Sequence, residues 1–182
     1  MRVRASLFVA ILVAPASAQQ SLPAQVDAWV DAHRAPAVGE LVDFMRLPNV
    51  ASDLEDIRAN AAALRVMMER RGIATWLIET GGAPMVYGEL DANGATTTLL
   101  FYAHYDGQPV DPADWVGHRP FEPILRAGKL ADSARIIPLA GAVSYRDEWR
   151  LYGRSATDDK APIVALLTAI DALRAAGAPP ST

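Results

Sequence analysis

Two short clusters hold the residues whose types and spacing can do chemistry. The first is His104-Tyr105-Asp106, directly after an apolar run, and the second is Asp158-Asp159 within Tyr152-Gly153-Arg154-Ser155-Ala156-Thr157-Asp158-Asp159-Lys160. In an extended segment, residues two apart point to the same side, so His104 and Asp106 can face one pocket. A neutral imidazole is a good zinc ligand, and a neighbouring carboxylate orients it and raises its basicity. Each cluster also has a plainer reading. An H-x-D triplet arises by accident, and adjacent aspartates before a helix satisfy its exposed N–H groups and favour its positive end. The chain has no cysteine, which excludes thiolate zinc sites, disulfides and a cysteine nucleophile. Any metal must be held by His, Asp or Glu, and the histidines are His33, His104 and His118.

The elements that would position these clusters can be read from periodicity. Gln25 to His33 and Val38 to Leu47 read as two helices parted by Pro36, the second ended by Pro48. Ser52 and Glu55 form an S-x-x-E capping box for a third helix. Leu54, Ile57, Ala61, Leu64 and Met68 recur along it at helical spacing, and Gly72 stops it. Ala74 to Ile78 and Met85 to Leu90 read as strands joined by a hairpin at Gly81-Gly82. Thr97 to Ala103 is β-branched, aromatic and apolar throughout, which predicts a central strand buried on both faces. His104 and Asp106 then sit at its carboxyl end, where α/β proteins place their sites. Gly107 to Arg126 reads as loop. Pro162 to Ala176 carries Ile163, Leu166, Leu167, Ile170 and Leu173 on one face, a terminal amphipathic helix ended by Gly177. Alternating helices and strands give an α/β class.

Composition bounds the function. The 182 residues are 51% hydrophobic and 21% charged, enough for one domain with a core. A net charge of -4 gives no attraction to nucleic acid or an anionic membrane. Arg2 and Arg4, the apolar run Ala5 to Ala14 and the small-residue site Ala16-Ser17-Ala18 have the order of a secretory signal peptide cut after Ala18. The run is far shorter than the ~20 residues a membrane span needs. The expected product is secreted or periplasmic, with residues 1–18 as signal and 19–182 as the folded part.

Taken together and in order, the clusters resemble the signatures of the zinc exopeptidases that include carnosine dipeptidases, aminoacylases and succinyl-diaminopimelate desuccinylase. Leu99-Leu100-Phe101-Tyr102-Ala103-His104-Tyr105-Asp106 is similar to the first signature, and Tyr152 to Lys160 to the second. Glu79-Thr80-Gly81-Gly82-Ala83-Pro84 and Arg46-Leu47-Pro48-Asn49-Val50 are similar to family segments too. Gln108-Pro109-Val110-Asp111-Pro112, Trp115 and Pro120-Phe121-Glu122-Pro123 look most like the carnosine-dipeptidase branch. The resemblance runs from about Val26 to the last residue. It implies the N-terminal part of a catalytic domain, a mixed sheet flanked by helices, without the smaller lid or dimerisation domain.

The resemblance also implies roles. His104 would be a ligand of one of two zinc ions, Asp158 the carboxylate bridging both, and Asp106 the catalytic carboxylate that holds His104. The Asp158–Asp159 peptide would be cis, and Asp159 would not be a ligand. The reaction implied is hydrolysis of dipeptides or N-acyl amino acids by a zinc-activated water, with a homodimer as the full-length assembly. Three positions depart from the pattern. Ser155 and Ala161 replace glycines, and Gly107 stands where a branched apolar residue is usual, which is expected to loosen the segment after Asp106. Ala131 to Arg150 reads as an insertion. The family's general base is a Glu beyond the second signature, and no Glu follows Glu148. The chain is therefore expected to be a fragment without activity of its own. The competing reading is a non-catalytic α/β remnant or binding module.

Overall fold

The computed structural model describes residues 20–92, 94–139 and 144–178; the signal-peptide reading of residues 1–18 lies outside them. Helices α1 (Leu22–Ala32) and α2 (Arg34–Met45) meet at His33 rather than at Pro36. Pro36 lies in the first turn of α2, where the N–H that proline lacks would have no helical partner. Helix α3 (Leu54–Glu69) is capped by Asp53, whose carboxylate accepts from Glu55 N and Asp56 N, so the cap is one residue later than the Ser52 box predicts. Both residues are good caps, and Asp53 brings a full negative charge to the positive helix end. Ile57, Ala61, Leu64 and Met67 are its buried stripe, while Leu54 is exposed. Gly72, at φ 63°, turns the chain out of the helix.

Strands β1 (Ala74–Ile78) and β2 (Met85–Glu89) form an antiparallel hairpin, Trp76 opposite Tyr87, that packs on α3. A second sheet has the order β4-β3-β5, from β3 (Ile124–Arg126), β4 (Ile136–Ile137) and β5 (Arg150–Tyr152), all antiparallel neighbours. It occupies part of the expected loop and the ends of the expected insertion. Helix α4 (Ala161–Ala175) closes the described chain and packs against α1 and α2.

The core lies among the helices. Phe44 of α2, Leu64 and Met67 of α3, Ile73, and Ile163, Val164 and Leu167 of α4 form one buried cluster. At its edge Arg71 donates to Glu40 of α2 (2.7 Å) and Asp171 of α4 (2.8 Å), tying three helices through one half-hidden guanidinium.

One expectation fails. Thr97 to Ala103 is not a strand, and it is not buried: Leu99, Leu100, Phe101 and Tyr102 are all exposed, Leu100 by 86% and Tyr102 by 88%. No described strand pairs with it. Apolar character on both faces predicts burial only where sheet neighbours and covering helices exist, and among the described residues neither face has them. The α/β class itself stands.

Candidate metal centre

His104 and Asp106 follow the segment Thr97 to Ala103, and the chain is pinned directly after them. Gly107 forms a parallel bridge with Val50: its N–H donates to Asn49 O at 2.7 Å, and its carbonyl accepts from Ala51 N at 2.9 Å. Gly107 is buried, so the expected loosening after Asp106 does not occur.

Asp158 and Asp159 lie in the turn Ala156–Lys160, which leads into α4. Both have non-helical backbone angles, and the peptide between them is cis, as the resemblance implies. The start of α4 uses no side-chain cap, so neither aspartate does the ordinary work of a helix N-cap there.

The structure brings His104, Asp106 and Asp158 together. The imidazole Nδ1 lies 3.1 Å from the Asp106 carbonyl and 3.2 Å from Asp106 Oδ1, and Nε2 lies 2.8 Å from Asp158 Oδ1. Asp158 is open to solvent, with its side chain 79% exposed. Burial lowers the His104 pKa, but the Asp106 carbonyl and the Asp158 carboxylate outweigh it, and the net shift is upward. Asp159, which sequence reasoning set aside, contributes differently: its Oδ2 accepts from the His104 backbone N–H at 3.2 Å. The signal for this role was only its adjacency to Asp158.

This arrangement can be tested against a metal. Both ring nitrogens face oxygen acceptors, so the bare site needs a cation at Nε2, either a proton or a metal ion. With Nδ1–H held by Asp106, Nε2 is the nitrogen left to ligate. His104 Nε2 and Asp158 Oδ1 are donor types zinc accepts. They supply two ligands, and among the described residues no group of three or more His, Cys, Asp or Glu stands together as a complete cage. The pair fits one edge of a metal site.

The other histidines are elsewhere. His33 stacks on Trp29 with ring centroids 3.9 Å apart and contacts Trp29 O, and His118 meets Arg119 O and Glu122 O.

No family model matches the chain. It is 33% identical over 92 residues to the human Beta-Ala-His dipeptidase, covering 50% of this chain and 14% of that protein. It is 26% identical over 138 residues to the Cys-Gly metallodipeptidase dug1 of Schizosaccharomyces pombe, covering 74% of this chain and 25% of that one. The chain thus spans a quarter or less of the length of these relatives. Its fold matches a solved structure of the di-peptidase Dug1p from Saccharomyces cerevisiae at a TM-score of 0.66 and 21% identity, over 87% of this chain and 32% of that one. Sequence and fold agree in what the chain is similar to: metallodipeptidases, the Beta-Ala-His dipeptidase and the Dug1 proteins among them.

Proposed function

We propose that this chain carries one side of the metal centre of an exported, metal-dependent dipeptidase. The observation that supports this most directly is His104 held between Asp106 and Asp158, with Nδ1 toward one carboxylate and Nε2 toward the other. In this reading His104 and Asp158 would hold zinc, in a centre of two ions, and Asp106 would fix the ring so that Nε2 stays available to the metal. Bound zinc polarises a scissile amide carbonyl and acidifies a water. Asp106 keeps a proton on Nδ1, and the Asp159 carboxylate, through the His104 N–H, holds the His104 segment against the turn.

Substrates would be dipeptides or N-acyl amino acids, and a homodimer would be the assembly of a full-length enzyme. His104 and Asp158 are only part of a two-metal ligand set, so this chain alone would bind zinc weakly, and with no residue matching the family's general base it would turn over nothing. The reading in which Asp158 and Asp159 only cap a helix of a metal-free α/β domain is disfavoured by the uncapped start of α4.

The test is calorimetric titration of zinc into the chain and its His104→Ala and Asp158→Ala variants, beside an assay of dipeptides and N-acyl amino acids. Weak zinc binding in the parent, lost in both variants, with no hydrolysis, is the expected result. Unchanged binding in both variants would remove the metal assignment. Zinc-dependent turnover by the chain alone would remove the assignment of incompleteness.

A further inference from the structure

The segment that carries His104 and the turn that carries Asp158 touch through few bonds of their own, and a third segment joins them. Asn49, in the loop after α2, is completely buried. Its Nδ2 donates to Tyr105 O at 2.7 Å and to Ser155 Oγ at 2.9 Å, and its Oδ1 accepts from the Ser155 hydroxyl at 3.2 Å. Its own carbonyl accepts from Gly107 N at 2.7 Å. One amide side chain therefore uses both donors and its acceptor on the two site-bearing segments. The side chain grips the backbone just before Asp106 and the residue three before Asp158, and the main-chain carbonyl grips the backbone just after Asp106.

The fit at this junction is reciprocal. A Cβ on Gly107 would lie 2.9 Å from Ser155 Oγ and 3.1 and 3.2 Å from the Arg154 guanidinium nitrogens Nη2 and Nε. The space that a side chain would fill at 107 is taken by the hydroxyl at 155. Ser155 is itself buried in the left-handed region at φ 59°, which a side chain rarely adopts unless its surroundings hold it there. The bonds to Asn49 do the holding. Gly107 and Ser155 are also two of the positions at which the sequence departs from the family pattern, and they meet at this single contact.

We infer that Asn49 is a positioning residue for the metal centre, and that Gly107 and Ser155 form a matched pair through which it fixes His104 against Asp158. The metal part of this inference rests on the proposed function; the matching of 107 and 155 does not. Asn49 touches neither His104 nor Asp158 through its side chain, and acts by fixing the backbone from which each projects.

Two measurements on the full chain test it. The first needs no metal: thermal unfolding, in chelator, of Gly107→Val, Ser155→Gly and the double variant. Gly107→Val should unfold about 5 °C lower than the parent, because a well-packed junction is overfilled. Ser155→Gly in the same chain should restore most of that loss. Additive effects would overturn the matched pair. The second is cobalt(II) titration followed by its visible absorption. Asn49→Ala and the gentler Ser155→Ala should bind cobalt about tenfold more weakly with an altered spectrum. Leu64→Ala, a core change that also destabilises, should keep the parent's affinity while folded. Parental affinity and spectrum in both Asn49→Ala and Ser155→Ala would overturn the positioning role. If the parent chain itself binds no cobalt, the metal reading and the positioning role fall together, and the unfolding cycle alone decides whether the junction is matched.

Discussion

His104 has an acceptor at each ring nitrogen, Asp106 at Nδ1 and Asp158 at Nε2, and that pairing fixes the direction of the ring. The types of these residues were legible in the sequence because histidine and aspartate at strand-end and helix-start positions are few. The residues that support them were not. Asp159 meets a backbone N–H 55 positions away, and Asn49 meets Ser155 106 positions away. No local pattern records such partners. A clearer local pairing lies between Arg58 of α3 and Glu79 after β1, where two parallel bonds of 2.8 and 2.7 Å join guanidinium to carboxylate. The Arg58 hydrogen bonds hold the Glu79 pKa below its ordinary value. A carboxylate with a depressed folded pKa contributes stability that is fully present above its unfolded pKa and lost as pH falls through the folded one. Both groups are exposed, so the contribution is small. The expectation is that the Glu79 carboxyl, followed by NMR, titrates below ordinary glutamates and returns to their range in Arg58→Gln. No movement in that variant would show that the pair is not formed in solution.

Helices α3 and α4 were readable to within a residue or so at their ends, because their apolar stripes recur at the helical period and face one core. The junction between α1 and α2 was not, since proline is as much at home in a first turn as after a last one. One feature of α2 had no sequence signal. Lys160 is wholly buried, and its ammonium donates to Phe44 O at 2.7 Å and Leu47 O at 2.9 Å while sitting 4.5 Å from the Phe44 ring centroid. Burial lowers its pKa to about 7. Phe44 O lies in the last turn of α2, where it also accepts from Leu47 N, and Leu47 O lies two residues past its end, where the dipole favours a cation. Lys160 thus closes α2 from the start of α4. Lys160→Met removes the donor and leaves both carbonyls buried, which should cost about 2 kcal/mol in urea unfolding with little change in slope. A midpoint equal to the parent's would mean that water or a backbone shift satisfies them instead.

Across the whole molecule, apolar residues are distributed unevenly. The inward face of the hairpin packs on α3, but its outward face presents Trp76, Ile78, Met85 and Tyr87, and the segment Leu99 to Tyr102 adds four more exposed side chains. Among the described residues nothing covers either. The strand reading of Thr97 to Ala103 identified the right chemistry and the wrong surroundings, because burial belongs to the neighbours of a segment and not to the segment. Exposed apolar side chains on a segment that pairs with no described strand favour self-association. Light scattering at rising concentration should therefore show the chain associating, and Leu100→Lys with Tyr102→Lys should suppress it. Association undiminished in that double variant would place the sticky surface elsewhere. The contact between His104 and Asp158 has a consequence for the order of events in folding. It joins positions 54 apart in the chain. Closing a loop of that length costs roughly 3–4 kcal/mol of chain entropy, and one exposed contact returns little of it. The helices must therefore assemble first and hold the ends near one another, so that the centre is the last part of the molecule to form and the first to come apart. Any ion that bridged the pair would act as a removable cross-link across that loop, and the melting temperature would then climb with the ion's concentration.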